Sequence, residues 1–395
     1  MKKMMFLGFI AFTALSVTSC SNDEVMEAVP QKQAIEFGTY LGRDAQARGV
    51  KLADENLLNF GVFASYTSGS TWTNTDIPNF MFNQNVSRAT TSDNWTYTPK
   101  KYWPTKQANE FISFFAYAPY YTNNNCISVK SSNNSTGAPI ITYTIAAENL
   151  ETMADFTADV QMNETKTAAG ATPDRTNRNV NFGFKHELTR LAIQAKLDRD
   201  AYAATGNADK TKINIKKIDF KGNGFATVAD YTFATTTDLR GSWSHTTNAT
   251  LSIEAGANGS VLIDNNNASP LWLANYTTKG YLLEDDDAEK LFGEDNYLFL
   301  IPPTAAGIVP GDEVSMVVYY DIVTEDSAVK NGYSISSAIK QIDLPTNQGL
   351  LTQGAAYNFT LTFNLNEVTF TASVDADWGT EGTLNDNVSY PNTDI

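Results

Sequence analysis

Along most of the chain, apolar and polar side chains alternate, and this period of two constrains the fold more than any other feature of the sequence. The clearest cases are residues 357–365 and 368–378, where an apolar residue recurs at every second position. Asn366 and Glu367 form the link between them, and its length suits a β-hairpin. Residues 314–322 alternate in the same way. The pattern predicts an all-β fold, because a strand presents successive side chains to opposite faces.

Several segments refine this prediction. In residues 58–66, five apolar residues at every second position alternate with Asn59, Gly61 and Ser65, which predicts a strand with one apolar face. Residues 111–117 are apolar at both parities, which is typical of a central strand covered on both sides. The apolar parity changes near Thr189, which indicates a bulge or a corner. Residues 284–292 begin with four carboxylates, and we expect a short helix there because carboxylates favour the positive end of a helix.

The first twenty residues are organised like a bacterial lipoprotein leader. Lys2 and Lys3 precede an apolar run that ends in small residues before Cys20. We therefore expect a signal peptide at residues 1–19, too short to span a bilayer comfortably. Residues 17–20, Val-Thr-Ser-Cys, match the motif at which a peptidase cuts before a lipid-modified cysteine. Cys20 is the predicted lipidation site, carrying palmitate among its acyl chains, and an ordinary signal with a chance cysteine is the alternative.

Charge and cysteine content restrict the partners and the compartment. The chain has 28 Lys and Arg against 44 Asp and Glu; loss of Lys2 and Lys3 with the signal leaves 26 against 44, a net charge of −18. Such a surface repels phosphate backbones, so we expect no nucleic-acid partner. Cys20 and Cys126 are the only cysteines, and lipidation of Cys20 leaves no pair for an intrachain disulfide. An exported chain must then rely on its cores and sheets.

A length of 395 residues exceeds one comfortable hydrophobic core, so two domains are expected. A polar, Thr-rich stretch around residues 162–178 marks the boundary. We therefore predict a tether at residues 20–33, an N-terminal β-sandwich at 34–176 and a C-terminal β-sandwich at 177–395, which ends in a polar tail.

Chemistry-bearing residues are scarce. His186 and His245 are the only histidines, and the sequence from His186 to Arg190 has arginine where the zinc motif H-E-x-x-H needs its second histidine. We predict no catalytic residue, no metal site and no cofactor, and we do not expect an enzyme. The aromatic residues between positions 95 and 103 are suited to stacking on sugar rings, but packing in a core or rim is favoured. They are Trp95, Tyr97, Tyr102 and Trp103.

Residues 34–40 alternate weakly and predict a first strand. Arg43 and Arg48 lie in the polar segment that follows, and residues 45–49, Ala-Gln-Ala-Arg-Gly, suit the extended form that a protease requires. On this local sequence alone, a solvated loop arginine is the simpler interpretation.

The ordered set of motifs along nearly the whole mature chain resembles the fimbrillin family, the type V pilins and related lipoproteins. The motifs are residues 35–38 (Ile-Glu-Phe-Gly), 60–64 (Phe-Gly-Val-Phe-Ala), 101–104 (Lys-Tyr-Trp-Pro), 114–119 (Phe-Phe-Ala-Tyr-Ala-Pro), 184–186 (Phe-Lys-His), 298–303 and 354–357.

This resemblance implies two tandem transthyretin-like β-sandwiches and export as a lipoprotein to the outer membrane and cell surface. It also implies removal of the first strand by an arginine-specific protease, at Arg48 or alternatively Arg43. Assembly with other pilus subunits by donor-strand exchange would follow, giving a structural or tip subunit of a fimbria that serves adhesion. The polar tail departs from the expected donor strand. The alternative is therefore a surface lipoprotein that does not polymerise and binds glycans or a host protein.

Overall fold

The structure is a computed structural model, and β-strands with their connections make up its described part. The 21 β-strands account for nearly all of the regular secondary structure within the described residues, which confirms the all-β prediction. The described residues are 33–41, 56–104, 109–121, 126–145, 153–165, 179–199, 210–254, 281–283, 287–291, 297–303, 314–344, 346, 350–364, 368–374 and 388–390.

The strands are numbered in chain order. The first part of the chain contains β1 (Glu36–Leu41), β2 (Asn59–Ser68), β3 (Met81–Ser87), β4 (Glu110–Ala118), β5 (Ile127–Val129), β6 (Ile140–Thr144), β7 (Thr157–Glu164), β8 (Asn179–His186) and β9 (Thr189–Leu197). The second part contains β10 (Thr211–Lys221), β11 (Val228–Thr232), β12 (Ser242–Thr247), β13 (Leu251–Glu254), β14 (Tyr281–Leu283), β15 (Glu289–Lys290), β16 (Leu298–Leu300), β17 (Val314–Glu325), β18 (Tyr333–Leu344), β19 (Ala356–Phe363), β20 (Val368–Val374) and β21 (Val388–Tyr390).

The strands form four sheets. The first sheet has the order β1-β8-β7-β4-β2-β3, and the second has the order β12-β11-β6-β5. The third sheet has the order β13-β10-β17-β18, with β14 also paired to β10. The fourth has the order β15-β9-β19-β20-β21, with β16 also paired to β9. Because neighbours in a sheet are often distant in sequence, the fold depends on long-range pairing.

The centre of the first sheet confirms the prediction of a doubly covered strand. In β4, Phe114 belongs to one hydrophobic cluster and Phe115 to another, so both faces are buried. The neighbouring β2 differs from the prediction of a single apolar face. Its Val62 joins the same cluster as Phe114, while Phe63 on the opposite face joins the cluster of Phe115. Strand β2 lies between β4 and β3, and hydrophobic clusters cover both of its faces. Phe63 contributes to the cluster on the face that the sequence pattern did not predict to be apolar.

Two hydrophobic clusters occupy the described residues. The smaller cluster lies on one face of the first sheet and includes residues of β1, β2, β4 and β8. The larger cluster joins the other face of that sheet to the second, third and fourth sheets, through residues such as Phe115, Tyr143, Met316 and Phe359. The smaller cluster therefore depends on few strands, one of which is β1.

Three further predictions have outcomes. Strands β19 and β20 pair antiparallel, which confirms the predicted pair. Phe363 lies opposite Val368, whereas a two-residue link at positions 366 and 367 would place residue 365 there, so the predicted length of the link is wrong. The parity change near Thr189 is a corner, because β8 belongs to the first sheet and β9 to the fourth. The predicted helix at 284–292 is wrong over its described part: Glu289–Lys290 form strand β15, paired with β9. Pairing to an existing strand outweighs the weak helix preference of an acidic start.

The division into two domains stays a prediction, and the strand pairings restrict where a boundary between the domains can lie. Strand β8 follows the expected boundary between residues 176 and 177, yet it pairs with β7 and β1 in the first sheet. Strand β6 precedes that boundary and pairs with β11. Any division of this chain into two sandwiches must therefore keep β8 with the first sheet and β6 with the second.

Candidate functional site at the edge strand β1

Strand β1 lies at one edge of the first sheet. It pairs in parallel with β8, in a register that runs from Glu36 opposite Asn179 to Leu41 opposite Phe184. Within the described strands β8 is its only sheet partner. One row of hydrogen bonds therefore attaches β1 to the sheet, and its other edge is not part of any described sheet.

The side chains of β1 and of the residue before it alternate between the core and the surface. Ile35, Phe37 and Leu41 are buried, whereas Glu36 is exposed and Tyr40 is 58% exposed. This is the period of two that the sequence predicts for the segment. Full burial of an apolar side chain stabilises a fold by about 1.5–3 kcal/mol relative to exposure, so the inward row gives β1 much of its attachment.

Phe37 is the centre of this attachment. Its ring centroid lies 5.3 Å from that of Tyr97, 5.8 Å from Phe182, and 6.0 Å from both Phe60 and Phe114. Aromatic pairs at these separations contribute beyond the area they bury. The four surrounding rings come from β2, β4, β8 and the segment after β3, so Phe37 fills a pocket built by distant parts of the chain.

A loop holds the beginning of this segment by backbone hydrogen bonds. The Ile35 amide donates to the Lys101 carbonyl at 2.9 Å, and the Trp103 amide donates to the Gln33 carbonyl at 3.0 Å. The Tyr97 hydroxyl donates to the Ile35 carbonyl at 2.8 Å. Burial raises the pKa of Tyr97, so its hydroxyl keeps the proton that makes this bond. The sequence carried no direct signal that these residues contact the first strand.

The aromatic group between positions 95 and 103 therefore has a structural role. Trp95, Tyr97 and Trp103 are buried in the smaller cluster, which confirms the favoured packing interpretation for these three residues. Tyr102 differs, because it is 46% exposed. The three buried members belong to the same hydrophobic cluster as Phe37 of β1.

Loss of β1 would have a defined consequence. The backbone groups of β8 that now pair with it would be unpaired along the sheet edge. The pocket of Phe37 would open as an apolar groove lined by Phe60, Phe114 and Phe182. An edge with unpaired backbone groups beside an apolar groove is a template for another strand.

Immediately after β8 the chain turns through a buried polar corner. His186 Nδ1 lies 2.7 Å from Asp155 Oδ2, and both side chains are buried. Next to it, burial raises the pKa of Glu187 to about 8, and the nearby Arg240 guanidinium, 3.6 Å away, opposes that shift. Gln353 also donates a hydrogen bond to Glu187. The corner thus fixes the end of the strand that holds β1.

The near-match to a zinc motif is part of this corner. His186 is a buried histidine paired with Asp155, and the guanidinium of Arg190 lies 4.3 Å from the centre of the Tyr297 ring. Across the residues that the structure describes, no group of three or more histidine, cysteine or acidic side chains is placed to hold a metal ion. In that same part of the chain no helix is long and apolar enough to cross a membrane.

The two sites predicted from sequence fall outside this geometry. Cys20 and Arg48, like the alternative Arg43, lie outside the described residues, so the lipidation and cleavage sites stay predictions. Of the polar tail, only Val388–Tyr390 is described. It forms strand β21, which pairs antiparallel with β20 at the edge of the fourth sheet.

Comparison with known proteins identifies the family. Residues 51–378 match the Fimbrillin-like family, and the chain belongs to it. The fimbrium subunit Fim1C of Phocaeicola vulgatus is 26% identical over 396 residues, covering 95% of this chain and 97% of that protein. A crystal structure of a fimbrial protein from Bacteroides vulgatus has a TM-score of 0.61 and 22% identity, covering 87% of this chain and 99% of that one. That structure shares the fold.

Proposed function

We propose that this protein is a structural or tip subunit of a cell-surface fimbria, which serves adhesion and assembles through the site that β1 occupies. In this proposal, a protease cuts after Arg48, β1 leaves, and a strand from a neighbouring pilus subunit takes its place. The proposal assigns the chain no catalytic role, no cofactor and no metal.

One observation carries the proposal: among the described strands β1 has a single sheet neighbour, yet its inward side chains fill an aromatic pocket. A strand at an edge leaves without breaking the rest of its sheet. Its departure exposes both hydrogen-bonding groups and an apolar groove, and these are the two features that strand addition uses for affinity and register. Family membership and the likeness to Fim1C support the same proposal.

The incoming strand must reproduce the side chains that leave. It needs apolar residues at every second position, to replace Ile35 and Phe37, and it needs a large ring to fill the pocket. In the tail, Leu384, Val388 and Tyr390 have this parity, with Asp386 as the polar exception. The tail is thus a donor candidate with one unfavourable position.

The pairing of β21 favours the second candidate function. Val388–Tyr390 already completes the fourth sheet of its own chain, so a tail acting as donor must first leave β20. A chain whose tail stays in place has no strand to give from that end. It would be a surface lipoprotein that does not polymerise and binds a glycan or a host protein, or a subunit that accepts a strand without giving one.

Limited digestion with trypsin tests the proposal. We expect the wild-type protein to be trimmed to a new amino terminus at Gly49 and to form a ladder of oligomers, because the vacant groove accepts a neighbour's strand. Arg48→Ala should prevent both changes. Arg43→Ala is the matched control and should behave like the wild type if Arg48 is the cleavage site.

Trimming without oligomers would contradict the proposal. If terminal sequencing confirms trimming at Gly49 but native mass measurement finds monomers at every concentration, strand exchange is wrong. The surface lipoprotein that does not polymerise then becomes the better account.

We further propose that Cys20 is lipidated and anchors the precursor in the outer membrane. The leader and the Val-Thr-Ser-Cys sequence support this assignment. Cys20→Ala should move the protein from the membrane fraction to the soluble fraction and remove the acyl mass from its amino-terminal peptide. Membrane retention with an unchanged peptide mass would contradict it.

A further inference from the structure

In the part of the chain that the structure describes, the third sheet ends at the long edge strand β18. Within the described strands, β18 is hydrogen-bonded to β17 alone. The register with β17 is continuous over all twelve residues, so no bulge bends the strand away. Seven of the twelve residues are exposed, and they include side chains on both faces of the strand. The outer edge of β18 is thus not paired in any sheet of the described strands.

Proteins usually protect such an edge with proline, charged side chains or bulges. The sequence of β18, Tyr-Ser-Ile-Ser-Ser-Ala-Ile-Lys-Gln-Ile-Asp-Leu, has no proline, and its only charged residues are Lys340 and Asp343. In addition, Ile335 is 48% exposed and Ile339 is 66% exposed. A regular, nearly uncharged edge with exposed isoleucines has the properties of a pairing surface.

The two isoleucines lie on the same face, because they are four residues apart in a strand. In the register with β17, Ile335 is opposite Val323 and Ile339 is opposite Tyr319. Val323 is fully buried. On the next strand, β10, Lys212 and Lys217 lie opposite these two β17 residues, so each isoleucine has one apolar neighbour across the sheet. One more strand beside β18 would give each isoleucine a second.

We propose that the free edge of β18 pairs with the same edge of a second copy of this chain, antiparallel and with Ser337 opposite Ser337. In that register Ile335 of each copy lies opposite Ile339 of the other, so both isoleucines gain an apolar cross-strand neighbour. If one copy of β18 is shifted along the other by two residues in either direction, Ile335 and Ile339 no longer lie opposite each other. The strand therefore matches its own sequence when it pairs antiparallel about Ser337, and this favours a second copy of the chain as the partner strand.

Charge supports the same choice. The chain has a net charge of −16, which opposes contact between most surfaces of two copies. The pairing stretch from residue 333 to 341 contains a single charged side chain, Lys340. In the proposed register Lys340 lies opposite Ser334, so no like charges face each other. The β18 edge is a surface where two copies meet without that repulsion.

The native mass of uncleaved protein tests this contact. The experiment uses the full chain with Cys20→Ser and Arg48→Ala, so that lipid and strand exchange do not contribute. We expect the mass measured by light scattering to approach that of a dimer as concentration rises. Ile339→Lys should abolish the increase, and Leu239→Lys, at another exposed apolar position, should leave it unchanged. A monomer at every concentration, or an unchanged dimer with Ile339→Lys, would overturn the proposal.

A cysteine at position 337, where the two copies meet residue to residue, tests the register. In the same background, Ser337→Cys brings two thiols together, and mild copper-catalysed oxidation should convert the protein to a disulfide-linked dimer. Gln341→Cys is the matched control: in the proposed register its two copies lie roughly 25 Å apart, and it should stay unlinked. Equal linking of both variants would contradict the register. Because the background blocks cleavage at Arg48, failure here leaves the function proposed for β1 intact.

Discussion

Strands β1 and β18 are both edge strands, but they are built in opposite ways. Strand β1 is six residues long, pairs in parallel and, together with Ile35 beside it, buries side chains in an aromatic pocket. Strand β18 is twelve residues long, pairs antiparallel, and leaves isoleucines exposed at its edge. The first depends on its side chains for attachment, whereas the second is attached by a long backbone ladder.

The difference suits the two edge strands to two kinds of contact with another strand. A strand held by side chains in a pocket is exchangeable, because any strand with the right alternate residues fills the same pocket. A strand held by a continuous ladder stays in place and offers its outer side to a partner. This contrast is the basis of the two proposals, exchange of a strand at β1 and addition of a strand at β18.

The largest expected effect comes from emptying the pocket under β1. Phe37→Ala should lower the free energy of unfolding by roughly 3–5 kcal/mol, because it removes a buried ring from contact with four others. Ile339→Ala on β18 should change it by no more than about 0.5 kcal/mol, since that side chain is exposed in the monomer. Urea denaturation of uncleaved monomer measures both. Equal losses in the two variants would remove the distinction between the edges.

A smaller effect, which depends on pH, concerns the strand that holds β1. Strand β8 ends at His186, next to the buried Glu187, whereas β18 contains no buried titratable side chain. The pKa of Glu187 rises from 4.5 to about 8 on folding, so the native state binds its proton more tightly. Its stabilising contribution is complete below about pH 4.5 and is lost as pH rises to about 8.

Glu187→Gln removes this titration. The stability of the wild type relative to the variant should therefore fall through that pH window, by at most about 1.4 kcal/mol for each pH unit. Glu325→Gln, at an exposed position, is the matched control and should follow the wild type. Denaturation curves at several pH values measure the difference. A constant difference between wild type and Glu187→Gln would mean that the carboxyl keeps its ordinary pKa in the fold.

The fold class was predictable because alternation is a local property. The strands, the β19–β20 hairpin and the doubly covered β4 all follow from side-chain spacing along a few residues. The pairing of β1 with β8 was not predictable from spacing, because it joins residues separated by more than a hundred positions. The contact of Tyr97 and Lys101 with Ile35 is equally long-range. The helix predicted at 284–292 failed for a related reason, since β9 supplies a partner strand that no local pattern reveals.

The most direct test of the account is replacement of β1 by a peptide. Protein that carries Ile339→Lys, which removes the contact proposed for β18, is cleaved after Arg48 in the presence of excess synthetic peptide covering residues 33–41. It should stay monomeric in native mass measurements, because the peptide fills the groove before a neighbour does. The same peptide with Phe37→Ala should leave the ladder of oligomers largely intact, since it lacks the ring that fits the pocket. If both peptides have the same effect, or neither has any, the site under β1 does not control assembly.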